Sequence, residues 1–142
     1  MKINGIVKSI DIYEFVYETD DLDKIMKSIR ELLGELYNKA KMSIDKLEGH
    51  FGDLITTLHI RLEGGDAERL LNSIIKRVKE NKELLLSNER IEDGKYYLRI
   101  NRQSLIQGKI EISFGGDSLK IVANIGKMNM DKFLYWLKEN LR

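Results

Sequence analysis

The sequence predicts an α+β domain in which an antiparallel or mixed, curved sheet carries its helices on one face. Three observations point there. Apolar residues recur at helical spacing from Leu22 to Leu36 and from Ala67 to Val78. The run Ile55 to Glu63 alternates apolar and polar residues, as a half-buried strand does. Gly115-Gly116-Asp117 joins two late strands as a hairpin turn, and Glu92-Asp93-Gly94 turns the chain into the strand that begins at Lys95.

Taken in order, Ile6 to Tyr17 is rich in Ile, Val, Tyr and Phe and reads as one long strand. Its alternation slips near Ile10-Ile12-Tyr13, which predicts a bulge or bend. Thr19-Asp20-Asp21 supplies an N-cap and early negative charge for a one-faced helix built on Leu22, Ile25, Met26, Ile29, Leu32, Leu33 and Leu36. Asn38 to Leu47 is mixed and reads as a short irregular strand. A loop bracketed by Gly49 and Gly52 follows, holding out His50 and Phe51.

In the next strand Thr56, Leu58, Ile60 and Leu62 face one way, and Thr57, His59, Arg61 and Glu63 the other. Gly64-Gly65-Asp66 turns the chain into a second helix with Ala67, Leu70, Leu71, Ile74, Ile75 and Val78 on its stripe and Arg69, Lys76, Arg77 and Lys79 outside it. Lys95 to Ile100 is a strand, Asn101 to Ser104 with Gly108 a break, and Lys109 to Phe114 a strand turned by Gly115-Gly116-Asp117 into Leu119 to Ile125. A closing helix begins near Asn129 or Asp131 and buries Phe133, Leu134, Trp136, Leu137 and Leu141.

The 142 residues suit one domain, 1–142, able to bury about two-thirds of its unfolded surface. Cysteine is absent, which excludes disulfides, thiolate metal sites and cysteine nucleophiles, and fits a reducing, cytoplasmic interior. No window approaches the roughly 18 apolar residues of a membrane helix. Charged residues make up 33% of the chain and proline is missing; the charge content resembles that of thermophile proteins, the lack of proline does not. The net charge of +1 conceals an asymmetry, with 8 basic and 11 acidic residues in 1–59 against 16 and 12 in 60–142. An anionic partner is therefore expected at the C-terminal half.

His50 and His59, with Glu48 and Asp53 nearby, fall short of a metal centre, since no third ligand stands at a recognisable spacing. No nucleophile or partner base accompanies His50, so no enzyme is expected. Neither glycine pair has the spacing of a phosphate-binding loop. No cofactor is implied.

Glu48-Gly49-His50-Phe51-Gly52, Val16-Tyr17-Glu18-Thr19-Asp20 and Tyr97-Leu98-Arg99-Ile100-Asn101-Arg102-Gln103 with Gly108 resemble, in the same order, segments of an archaeal family described as predicted exosome subunits or RNA-binding proteins. Its pattern resembles E-G-H-Y/F-G-N, then T-E-D, then L-R-L/F-D-K-Q. This chain has Asp53 for the Asn, Thr-Asp-Asp for Thr-Glu-Asp, and Asn101-Arg102 for Asp-Lys. The resemblance implies a fold similar to ribosomal protein L5, likened to a double-stranded-RNA-binding domain, and no catalysis. The matching positions are Glu48, Gly49, His50, Gly52, Arg102, Gln103 and Gly108; the glycines would be structural, and His50, Arg102 and Gln103 candidates for contact.

The expected function is association with structured RNA, exosome-related or in RNA processing, by phosphate and shape contacts, with His50, Arg61, Arg99, Arg102, Gln103, Lys109 and the second helix as the candidate contacts. The alternative is a protein-interaction or homodimer module in which an exposed strand such as Ile6–Tyr17 pairs with a partner.

Overall fold

The computed structural model describes residues 5–49, 51–78, 82–87, 90–113 and 115–141. Its centre is β1, Ser9–Tyr17, flanked by β3, Leu54–Glu63, and β6, Ser118–Asn124. Beyond β3 lies β2, Lys41–Glu48; beyond β6 lie β5, Lys95–Asn101, and the two-residue β4, Ile91–Glu92. The order is β2-β3-β1-β6-β5-β4, and every pair among these strands is antiparallel.

β1 starts at Ser9, not Ile6, and meets β3 through nine consecutive pairs from Ser9 opposite Glu63 to Tyr17 opposite Ile55, with no bulge. The slip in its pattern has another cause. Ile10, Ile12 and Val16 face the core together with Glu14, while the aromatics Tyr13, Phe15 and Tyr17 share the opposite face with Ser9 and Asp11. β1 is paired to β3 along its whole length and to β6 from Ser9 to Tyr13, so it is not the edge strand expected to receive a partner. That place belongs to β2, a regular strand paired to β3 over all eight of its residues.

Helix α1, Leu22–Leu33, is capped by the Asp21 carboxylate, which accepts from the Lys24 N–H at 3.2 Å. It buries Ile25, Ile29, Leu32 and Leu33; a 3-10 turn over Gly34–Lys39 then carries Leu36 into the core. Helix α2, Gly64–Arg77, buries Ala67, Leu70, Leu71, Ile74 and Ile75, and α4, Met130–Asn140, buries Phe133, Trp136 and Leu137. The break after β5 is a short helix, α3, Arg102–Ile106, capped by Asn101. These stripes join Leu58, Ile60, Leu62, Tyr96, Leu98, Ile100, Leu119 and Ile121 in one core, so the helices cover one face of the sheet. No described helix is long and apolar enough to cross a membrane.

Two late features differ from expectation. Residues 109–113 do not hairpin onto β6, because β1 and β5 already occupy both of its edges. They touch the other edge of β5 instead, through a bridge between Ile100 and Ile112, and Phe114 lies outside the described residues. The tight hairpin joins β4 to β5 across Asp93 (φ 51) and Gly94 (φ 75), both left-handed as a two-residue type I′ turn requires. A Cβ on Gly94 would lie 2.7 Å from the Lys127 backbone nitrogen. Gly94→Ala is therefore expected to lower the thermal midpoint more than Gly52→Ala (φ 82, its added Cβ in ordinary contact with Glu48 Oε1 at 3.9 Å), which should cost about 1 kcal/mol. Equal midpoints for the two variants would refute the close approach.

Candidate nucleic-acid interface

The sheet face away from the helices is built from the odd-numbered residues of β1, β2, β3 and β5 and the even-numbered residues of β6. Antiparallel register places residues of these strands directly side by side. One line crosses five strands as Ser43, His59, Tyr13, Lys120 and Arg99. The next runs Lys41, Arg61, Asp11, Val122 and Tyr97. Five cations, Lys41, Arg61, Lys95, Arg99 and Lys120, share the face with four carboxylates, Asp11, Asp45, Glu63 and, opposite Lys95 on β4, Glu92.

The Tyr13 and His59 rings stack across the strands, their centroids 4.6 Å apart and their planes 3° from parallel. Lys120 Nζ stands 5.7 Å from the Tyr97 ring centroid, a cation–π contact one step further across. Asp11 is the buried anchor beneath them. His59 Nε2 lies 2.8 Å from its Oδ1, Arg61 Nη1 donates to both oxygens at 3.0 Å, and Asn124 Nδ2 donates at 3.0 Å. Burial pushes the Asp11 carboxyl up, but the hydrogen bonds from His59, Asn124 and Arg61 outweigh it and hold the group below the usual carboxylate range. An ionised Asp11 fixes the His59 ring and the Arg61 guanidinium, so the stacked pair is preorganised. Burial and the Asp11 charge push the Tyr13 phenol up, which keeps it neutral.

The residues expected to bind a partner do not converge. Arg61 and Arg99 lie on this face; Arg61 also pairs with Glu63 through Nε at 3.2 Å. Lys109 lines a cavity of about 510 Å³ on the helical side with Glu31, Leu32, Arg77 and Leu105. Arg69 and Arg77 of the second helix are on that side too, Arg69 paired with Glu35 and Arg77 donating to the Leu32 carbonyl at 2.8 Å. Gln103 is exposed on α3, and Gly108, with φ 83, follows that helix.

Arg102 requires a correction. It is 2% exposed, donates to the Phe15 carbonyl at 3.0 Å, and lies 3.0 Å from Asp20, 3.1 Å from Asp117 and 3.6 Å from Glu14. A guanidinium so enclosed has no route to a phosphate, so it is a core ion and not a contact residue. In the glycine loop, the Gly49 N–H donates to the Asp53 carbonyl and the Gly52 N–H to that of Gly49. Glu48 ends β2, and His50 lies outside the described residues. Lys120 was read from the sequence, with Arg99, Arg102 and Lys109, as a cation able to follow a nucleic-acid backbone; Tyr13 and Tyr97 were not singled out as contacts, nor was His59 for RNA, and their signal is the alternation of β1, β3 and β5, which becomes a site only when the strand order is known. Among the described residues no group of three or more His, Asp or Glu is placed to hold a metal ion.

A family model described as RNA binding matches residues 9–125, the span from β1 to the residue after β6. The chain belongs to that RNA-binding family. The matched span includes Tyr13, His59, Arg61, Tyr97, Arg99 and Lys120. An uncharacterised protein of Methanocaldococcus jannaschii is 29% identical over 129 residues, covering 84% of this chain and 85% of that one. An RNA-binding protein of Pyrococcus abyssi is 25% identical over 138 residues, covering 87% and 85%. Among solved structures, a Sulfolobus solfataricus protein superposes with a TM-score of 0.82 at 24% identity, over 92% of this chain and 98% of that one. A DUF54 protein of Methanothermobacter thermautotrophicus gives 0.76 at 21% identity, over 96% and 98%. These likenesses establish the α+β fold.

Proposed function

We propose that this protein is a non-enzymatic RNA-binding protein that holds unpaired RNA on the helix-free face of its sheet. The observation that carries the reading is the line His59, Tyr13, Lys120, Arg99, in which a stacked ring pair stands beside two cations on adjacent strands. Aromatic rings on a sheet offer stacking to splayed bases, and flanking Lys and Arg attract the phosphates between them. A duplex hides its bases, so a ring-bearing face favours single strands. The name of the Pyrococcus abyssi relative supports RNA as the ligand. The family resemblance extends the reading to an accessory role beside an RNA-processing assembly such as the archaeal exosome, and to a kinship with the ribosomal protein L5 fold. Pull-down from native lysate with mass spectrometry tests the first, and structural superposition the second.

Fluorescence anisotropy with labelled single-stranded RNA tests the interface. Tyr13→Ala is expected to cost about 1–3 kcal/mol of binding. Arg99→Ala and Lys120→Ala should each weaken binding across sequences and lower the salt slope by about one. Lys24→Ala, exposed on α1, should do little. Equal losses for Lys24→Ala and Lys120→Ala, or tighter binding of duplex than of single strand, would overturn the reading.

A further inference from the structure

We infer that β2 pairs with β2 of a second copy of this chain, in antiparallel register about a two-fold axis passing between the two Ser43 residues. The inference does not rest on RNA binding. β2 is an edge strand of eight residues whose outer backbone edge meets no other strand among the described residues. Such an edge is a template for another strand unless something blunts it. Here the blunting devices are absent or ambiguous. The strand has no proline and runs without a bulge through its whole pairing with β3. It also exposes Ile44 and Leu47, 53% and 54% accessible. Lys41, Lys46 and Asp45 would repel an unrelated strand, so the question is whether they repel their own copy.

A two-fold axis normal to the sheet keeps each face with its like, so odd residues of β2 oppose odd residues and even oppose even. Few registers satisfy this. Centred on Asp45, it sets two carboxylates against each other. Centred on Ile44, it sets Met42 against the partner's Lys46 and Lys41 against the partner's Leu47. Centred on Leu47, it engages only Lys46 to Glu48 within the strand. Centred on Ser43, it places Lys41 opposite the partner's Asp45, Met42 opposite the partner's Ile44, and each of these twice. That register alone gives charge complementarity on the open face and an apolar pair on the helical face over five consecutive residues. Neither Lys41 nor Asp45 has an ion-pair partner within its own chain among the described residues.

The axis has a consequence for the open face. Ser43 begins the line that continues through His59, Tyr13, Lys120 and Arg99, so the two lines meet end to end. The two Tyr13 rings would stand five strand spacings apart, about 24 Å.

The chain has no cysteine, which makes the register directly testable. Ser43→Cys is expected to form a disulfide-linked dimer on mild oxidation, because directly opposed residues bring their Cβ atoms within bridging range. Asp45→Cys and Leu47→Cys should remain largely monomeric under the same conditions. In light scattering, Asp45→Lys should raise the dimer dissociation constant by about tenfold, and Lys41→Asp added to it should restore dimerisation. All these positions are exposed, and thermal melting checks that each variant folds. Equal cross-linking at 43, 45 and 47, no rescue by the double reversal, or a wild-type monomer at the highest soluble concentration would overturn the inference.

Discussion

Arg102→Ala is expected to destabilise the protein by about 3–5 kcal/mol, read as a shift of the urea midpoint at pH 7. The side chain joins three stretches of chain. Its guanidinium reaches Asp20 between β1 and α1, Asp117 before β6, and Glu14 and the Phe15 carbonyl on β1, while its backbone N–H donates to the Asp117 carbonyl. Removing it strands the buried Glu14 carboxyl and leaves a void under the sheet. Arg102→Lys keeps the charge but loses the fork that serves these partners together, so it should recover only part of the loss. Arg99→Ala, three residues earlier but exposed on the open face, should change stability by no more than about 0.5 kcal/mol. The two arginines thus separate in opposite experiments: Arg102 in unfolding, Arg99 in RNA affinity. An Arg102→Ala midpoint equal to wild type would show that the buried ions are not coupled to folding.

The contrast also marks where reading the sequence succeeds. Local chemistry carried the helices, since the stripes of α1, α2 and α4 and the Asp21 cap are written within a few residues of each other. It carried β3 and β5 through their alternation, and the turn at Asp93-Gly94. The site was less legible because it is made by strand order. Tyr13 and His59 are 46 positions apart and Lys120 is 61 beyond His59, yet all three sit on neighbouring strands. The charge asymmetry between chain halves is partly visible on the candidate face, since four of its five cations, Arg61, Lys95, Arg99 and Lys120, come from residues 60–142, while Tyr13, His59 and Lys41 come from the other half. Arg102 looked like a surface cation because its partners are distant; the Phe15 carbonyl it reaches is 87 positions away. One signal did exist. Glu14 shares the parity of Ile10, Ile12 and Val16, and a carboxylate on an apolar strand face calls for a buried cation.

Glu14 provides the second large effect, an unfolding free energy that falls as pH rises from about 4.5 to about 7. Burial pushes its carboxyl up to about 7; the Arg102 charge, 3.6 Å away, opposes this, and the charges of Asp20 and Asp117 add to it. The native state therefore holds a proton that the unfolded chain releases near 4.5. Where the native state binds more protons, stability declines with pH. The contribution is complete below the unfolded value and is lost as pH climbs through the folded one, a swing on the order of 3 kcal/mol. Asp11 does not confuse this window, because its carboxyl is held below the usual range and its contribution is lost only on acidification beneath it. Glu14→Gln keeps the shape and removes the titration. The variant should give a flatter profile between pH 5 and 7 and exceed wild type at pH 8, where wild type must hold a carboxylate 1% exposed to water. Urea unfolding of both proteins across that range decides it. Parallel profiles would mean that Arg102 keeps Glu14 ionised throughout, and that burial is the weaker of the two forces on this side chain.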